Sequence, residues 1–377
     1  MFQNPENTPG KHPREQAYIP EANITAEDIM RDEEECLRRL REMPDEIGLL
    51  VMRDGNGWLD HSKGIPIPRM LFDNFWHEGE LCILFADTNL GKSALAVQIG
   101  DSISHGAAIP GFVLEANAQP VLYCDFELGA KQFEARYSHE FQNHYSFSSN
   151  FKRLEMNADA LPEAGEDFEA LLALSIEEVI ERTKAKVLII DNLTYLRRAT
   201  EKAMDALPLM KELKAMKAKY GLSILALAHT PKRDMSKPLT HNDLQGSKML
   251  ANFCDSLFTV GASSQDKSLR YLKQLKARNT EVVYDAENVC LCQIGKPVNF
   301  LQFEFLQHSR EKEHLKEVKE NERSELEIQI RELLASEPGI TAYAITKRLC
   351  KEGDNFNSLQ VKVGRVLKRI TNTTNNY

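Results

Sequence analysis

The chain has 377 residues, 42% of them hydrophobic, and a formal net charge of −9. That is enough for one large or two to three smaller folded domains, and the acidic balance excludes a surface coated in nucleic acid while leaving room for local basic loops. No apolar run approaches the ~18 residues of a membrane span and the polar start MFQNPENTPGKHPREQ lacks the form of a signal peptide, so a cytoplasmic protein without membrane association is expected. Seven cysteines are scattered; Cys290 and Cys292 would share one face of a strand, but no partner pair completes a metal site, and reduced core thiols are expected.

Residues 1–63 read as a flexible segment with one charged helix at about 25–43, opened by Thr25 and Asp28 and carrying Ile29, Leu37 and Leu40 as a sparse apolar stripe. The stretch GIPIPRMLFDNFW is an extended, proline-punctuated approach to the first strand. From Glu80 to about Leu306, the apolar runs ELCILF, PVLYCDF, AKVLII and LSILALA alternate with helical patterns near 129–142, 164–183 and 206–219. Such alternation predicts an α/β domain over 64–307, a mostly parallel sheet with helices on its faces. After Ala262 only strands follow (SLRYLKQLKA, EVVYD, NVCLCQI, VNFLQFEFL), which should meander antiparallel at one edge of that sheet.

A Glu- and Lys-rich linker at 308–323 precedes a module at 324–377 with three short helical patterns, Ser324–Ala335, Thr341–Lys351 and Ser358–Ile370. In the third, Val363, Val366, Leu367 and Ile370 make an apolar stripe while Lys362, Arg365 and Arg369 make a basic row. This is the layout of a small helix-turn-helix or winged-helix module with the third helix as DNA reader. A three-helix cap with a solvated basic face has the same pattern.

The chemistry concentrates in ELCILFADTNLGKSA. An apolar strand, Leu81 to Phe85, feeds a loop that ends in Gly91-Lys92-Ser93 and continues as a helical pattern from Ala94. This is the context in which backbone N–H groups at a helix N-terminus converge on phosphate. Ala86 stands where such loops carry their first glycine, a mild departure because it adds only a methyl, and Asn89 tolerates a left-handed conformation. Residues Ala86, Asp87, Thr88, Asn89, Leu90, Gly91, Lys92, Ser93 and Ala94 are therefore the candidate nucleotide-binding loop, with Lys92 on the β- and γ-phosphates of ATP and Ser93 on Mg²⁺.

Two further carboxylates are needed and two strand ends offer them. VLIIDN closes on Asp191, the Walker B pattern, which would hold Mg²⁺ partly through water. VLYCDFELG supplies Glu127 as base for the attacking water; Asp125, two residues earlier and nearer the strand body, is its rival.

A glutamate after the strand that follows the phosphate loop resembles the RecA and DnaB lineage of P-loop ATPases. The resemblance is closest to RepA-like hexameric replicative helicases of plasmids and covers about 64–306. It implies a RecA-like P-loop fold, a γ-phosphate sensor at His229 followed by Thr230, and a Lys-x-Arg pair, Lys276 and Arg278, donated into the neighbouring subunit's ATP site. It also implies DNA contact through loops carrying Arg197, Arg198 and Lys202, and Lys232, Arg233, Lys237 and Lys248. The expected function is an ATP-hydrolysing motor, a helicase of plasmid or mobile-element replication, forming a hexameric ring on single-stranded DNA. A recombination mediator or assembly switch that hydrolyses ATP without unwinding, and a DNA-binding regulator that uses the C-terminal module, are the alternatives.

Overall fold

The computed structural model describes residues 30–35, 38, 45–160, 167–193, 203–231, 233–244, 247–316, 320–337, 339–351 and 355–374. It divides into two compact units, Met1–Ile67 and Pro68–Tyr377. In the first, residues 30–35 are helical; the charged helix expected at about 25–43 lies mostly outside the described residues. A short antiparallel pair, Asp45–Ile47 with Leu50–Met52, precedes a helix, Gly55–Lys63, whose first turn is capped by the Asp54 carboxylate accepting from the Gly57 N–H. The sequence pattern did not mark either element.

The second unit is built on one nine-stranded sheet. Its strands are β1 (Leu81–Ala86), β2 (Val121–Asp125), β3 (Phe151–Leu154), β4 (Val187–Asp191), β5 (Ser223–His229), β6 (Ser256–Ala262), β7 (Leu269–Lys276), β8 (Val289–Gly295) and β9 (Gln302–Ser309), in the spatial order β9-β8-β7-β6-β1-β5-β4-β2-β3. From β6 to β3 neighbours run parallel; β7, β8 and β9 extend the sheet antiparallel beyond β6. The expected parallel sheet with an antiparallel meander at one edge is present. Two strand readings differ: EVVYD runs as an irregular connection, and β3 was not marked because FKRL is short and half charged.

The central strand β1 explains why both faces are covered. Cys82, Leu84 and Ala86 join one apolar cluster and Leu81, Ile83 and Phe85 the other, all fully buried, because successive side chains of a strand point to opposite faces. Helix α1 (Lys92–His105) packs on the first face with Leu95, Ile99 and Ile103; on the second lie α3 (Phe168–Thr183), with Ile176 and Ile180, and α4 (Ala203–Tyr220), with Leu209 and Leu213. Burying one such leucine or isoleucine contributes about 1.5–3 kcal/mol. Two shorter helices, α2 (Ala130–Arg136) and α5 (Ser247–Phe253), lie between strands of the sheet.

Register decides what meets at the sheet edges. Ala86 pairs with His229 and with Val260, and Asp125 with Asp191, so the C-terminal ends of β1, β5, β4 and β2 share one edge. Lys276, at the end of antiparallel β7, pairs with Leu257 near the start of β6, and lies toward the opposite edge.

Three helices follow the sheet: α6 (Glu320–Ser336), α7 (Ala342–Leu349) and α8 (Phe356–Thr374). Ile330, Ile345, Val363 and Val366 form their common core, as the spacing on the third helix requires. No strand accompanies them among the described residues. No helix among the described residues is long and apolar enough to cross a membrane.

Candidate active site

The phosphate loop leaves β1 at Ala86 and enters α1 at Lys92. Asn89 (φ 65°) and Gly91 (φ 92°) both take the left-handed conformation that turns the chain into the helix. At Gly91 a Cβ would also fall 2.5 Å from the Ile294 side chain and 3.0 Å from the Phe303 ring, so glycine is required twice over, by conformation and by space. The first-turn N–H groups of α1 have no carbonyl partner within the helix, which leaves them available to an anion. Ala86, where a glycine is customary, is buried at the end of β1 and its carbonyl accepts from Lys92 Nζ at 3.4 Å and from the Thr230 N–H at 3.2 Å. Burial raises the carboxyl of Asp87, with Lys92 and Arg233 acting against it.

Around this loop the strand ends bring four polar side chains into one chain of contacts. Lys92 is 6% exposed, and burial lowers its pKa. Its Nζ stands 3.1 Å from Nδ1 of His229; Nε2 of the same ring is 3.2 Å from Oε1 of Glu127. The Asn192 amide donates to that Glu127 oxygen and lies 3.0 Å from His229 Nε2. The His229 contact holds the Glu127 carboxyl below the usual carboxylate range, although burial opposes it.

Asp191 is fully buried beside this chain. Its Oδ2 accepts from the Tyr123 hydroxyl at 2.7 Å, and burial pushes its carboxyl up to about 6 despite that bond and the nearby Ser93 hydroxyl. Oδ1 has no hydrogen-bond partner among the described residues. A buried carboxylate oxygen without a donor, next to a serine hydroxyl, is a hard oxygen pair that fits Mg²⁺; among the described residues no cluster of three or more His, Cys, Asp or Glu offers a metal site of its own. The Thr230 hydroxyl is likewise buried and unpartnered.

The two rival carboxylates occupy different environments. Asp125 is buried, with Oδ2 bound to Arg153 Nε at 2.8 Å and Oδ1 accepting from the N–H groups of Glu127 and Leu128. It braces the turn that presents Glu127, whose own carboxylate faces His229 and Asn192.

Lys276 and Arg278 stand apart from these groups, toward the other sheet edge. Lys276 Nζ donates to the carbonyls of Ala251, Asn252 and Cys254 and so caps the C-terminal end of α5. The Lys276 ammonium is thus committed within its own chain. Arg278 is half exposed and pairs with Asp255.

Of the basic loop residues, Arg197, Arg198, Lys202 and Lys232 lie outside the described residues, as does the Lys248 side chain. The guanidinium of Arg233 is turned back onto the Lys237 carbonyl, and Lys237 lies 3.8 Å from Asp234. On α8, Lys362 and Arg365 are exposed opposite buried Val363 and Val366; the side chain of Arg369 lies outside the described residues.

Three contributors were missed in the sequence. Asn192 directly follows the Walker B aspartate and was legible as its neighbour. Arg153 sits on the unrecognised strand β3. Tyr123 looked like one more apolar strand residue, and only the fold turns its hydroxyl to Asp191.

Residues 55–235 match the model of the family AAA_25, described as an AAA domain. No curated protein matches the chain. Among solved structures, similarity extends to a KaiC-like protein from the hyperthermophilic archaeon Pyrococcus horikoshii OT3, at 16% identity and a TM-score of 0.43, covering 63% of this chain and 99% of that one. It extends also to a second solved ATPase domain, at 14% identity and a TM-score of 0.44, covering 60% of this chain and 85% of that one. With a phosphate loop after β1, an acidic strand end on β4 and the sheet order described above, the fold is that of a RecA-like P-loop ATPase, and residues 55–235 are similar to this family of AAA domains.

Proposed function

We propose that the chain is an ATP-hydrolysing, ring-forming motor that acts on DNA, a helicase of the RepA-like kind serving a plasmid or other mobile element. The observation that carries the reading is the contact chain Lys92–His229–Glu127–Asn192 beside buried Asp191 at one sheet edge. These are the groups phosphoryl transfer to water needs, in positions where they act together.

Lys92 and the first N–H groups of α1 hold the β- and γ-phosphates. Ser93 and Asp191 hold Mg²⁺, which neutralises charge on the phosphate oxygens when bound. Glu127 is ionised at neutral pH because its pKa is lowered; it takes a proton from the attacking water as the new oxygen–phosphorus bond forms and the bond to the β–γ bridging oxygen breaks, leaving ADP and phosphate. Asn192 and His229 fix the carboxylate, and His229, touching both Lys92 and Glu127, senses the γ-phosphate. Arg278 of one subunit completes the site of the next in a head-to-tail ring.

DNA contact is assigned to the loop after β5, with Arg233 and Lys237, and to the exposed face of α8, with Lys362 and Arg365. The loop set tracks phosphates without reading sequence. The test combines ATP turnover with the salt dependence of single-stranded DNA binding. Lys92→Ala should lose most turnover. Neutralising Arg233 and Lys237 together should lower the slope of log affinity against log salt by about 1.4, at ~0.7 per phosphate contact. Normal turnover in Lys92→Ala would sink the ATP site; an unchanged slope would move DNA contact to α8. A strand-displacement assay separates a motor from an ATP-dependent mediator or regulator, since only a motor releases the displaced strand.

A further inference from the structure

The phosphate loop is held from outside by the antiparallel strands. Arg270, at the start of β7, is 9% exposed. Its Nε donates to the Leu90 carbonyl at 3.2 Å, and its Nη1 to the carbonyls of Lys267 and Leu269 at 2.7 and 2.8 Å. Burial lowers its pKa, and no carboxylate pairs with it among the described residues. A buried cation spent on carbonyl oxygens alone is unusual, because buried charges are ordinarily paired with opposite charge. Beside it, Ile294 of β8 and Phe303 of β9 close against Gly91. Two turns along α1, the Gln98 amide donates to the Phe303 carbonyl and accepts from the Phe303 N–H, at 2.9 and 2.8 Å.

We infer that Arg270 is a positioning residue of the ATP site, which sets the orientation of the Leu90–Gly91 peptide and with it the phosphate-binding face of the loop. The inference rests on the ATP-site reading above. In a trans peptide the C=O and N–H point in opposite directions. With the Leu90 oxygen fixed toward Arg270, the Gly91 N–H is aimed away from the antiparallel strands and heads the row of N–H groups that continues through Lys92 and Ser93. The loop needs such a brace because two of its residues, Asn89 and Gly91, are in the left-handed region, and asparagine holds that conformation at a cost. In the free loop the Leu90–Gly91 peptide has no other side-chain donor on its oxygen among the described residues.

The test compares the full chain with Arg270→Gln and Arg270→Lys, measuring affinity for ADP and for a non-hydrolysable ATP analogue, kcat and KM, and thermal unfolding without nucleotide. Arg270→Gln should weaken both nucleotides about tenfold, the worth of one hydrogen bond from a charged group. KM should rise more than kcat falls, and Arg270→Lys, which keeps one N–H for the Leu90 oxygen, should recover part of the affinity. Unchanged affinity in folded Arg270→Gln overturns the inference, and so does failure of Arg270→Lys to do better than Arg270→Gln. If Arg270→Gln does not fold, Arg270→Lys alone decides: a raised KM with near-normal kcat supports positioning, and wild-type values for both overturn it. Lys92→Ala, run alongside, keeps the two readings apart. If it loses nucleotide while Arg270→Gln does not, only the role of Arg270 fails; if Lys92→Ala binds normally, the ATP site itself fails.

Discussion

Arg278 and Asp255 form an ion pair of 3.1 Å toward the sheet edge away from the phosphate loop. Asp255 also accepts from the Leu81 N–H and from Lys217. Burial works to raise its carboxyl, but these donors hold it below the ordinary range. The aspartate is therefore satisfied without Arg278, whereas the half-exposed arginine has Asp255 as its one ion-pair partner among the described residues. A residue placed so can turn to an adjacent subunit without leaving Asp255 unpaired, since the Leu81 N–H and Lys217 still satisfy that carboxylate.

Arg278→Ala should accordingly leave thermal stability and ATP affinity near wild type while turnover falls by about 10³–10⁵, the range for a finger acting in trans. Mixing Arg278→Ala with Lys92→Ala protein should restore activity, because some interfaces then join an intact loop to an intact arginine. No recovery in assemblies shown to exchange subunits would confine Arg278 to its ion pair with Asp255.

Glu127→Gln and Asp125→Asn should separate chemistry from scaffold. The first keeps the shape but loses the base, so ATP is retained and hydrolysis drops about 10²–10⁴-fold. The second breaks the pair with Arg153 at a side chain that is fully buried and should cost about 3–5 kcal/mol in urea unfolding. The assignment of the two carboxylates reverses if Asp125→Asn is the stable variant that binds ATP without hydrolysing it.

The carboxyl of Asp191 is pushed up to about 6 by burial, against ~3.9 in an unfolded chain. Its folded form holds a proton more tightly, so for this group the nucleotide-free protein gains stability as pH falls through about 6 and the gain is complete below about 4. At pH 7 the buried charge costs on the order of 3 kcal/mol. Asp191→Asn should therefore melt higher than wild type without nucleotide at pH 7, and should lose the further rise that Mg²⁺ with ADP gives the wild type. In the wild type that rise should shrink as pH drops through about 6, because Mg²⁺ requires the ionised form. A wild-type response to Mg²⁺ and ADP in Asp191→Asn would remove it from the metal site.

The sequence by itself determined the elements whose signal is local. An unbroken apolar run is enough to bury β1 on both faces, Gly91-Lys92-Ser93 needs only the strand before it and the helix after it, and the acidic ends of β2 and β4 follow from where apolar runs stop. The stripe on α8 was legible for the same reason: spacing along one helix fixes which residues face inward. Tertiary structure alone gave Asp125 and Glu127 different surroundings, because Arg153 arrives from β3 to pair with the first while the second faces His229. It also gave Lys276 to the end of α5, Arg278 to Asp255 and Arg270 to the phosphate loop, contacts that span 22, 23 and 180 positions along the chain. Local pattern cannot carry such pairings. They depend on the order in which strands enter the sheet, and that order is set by the packing of both apolar faces at once.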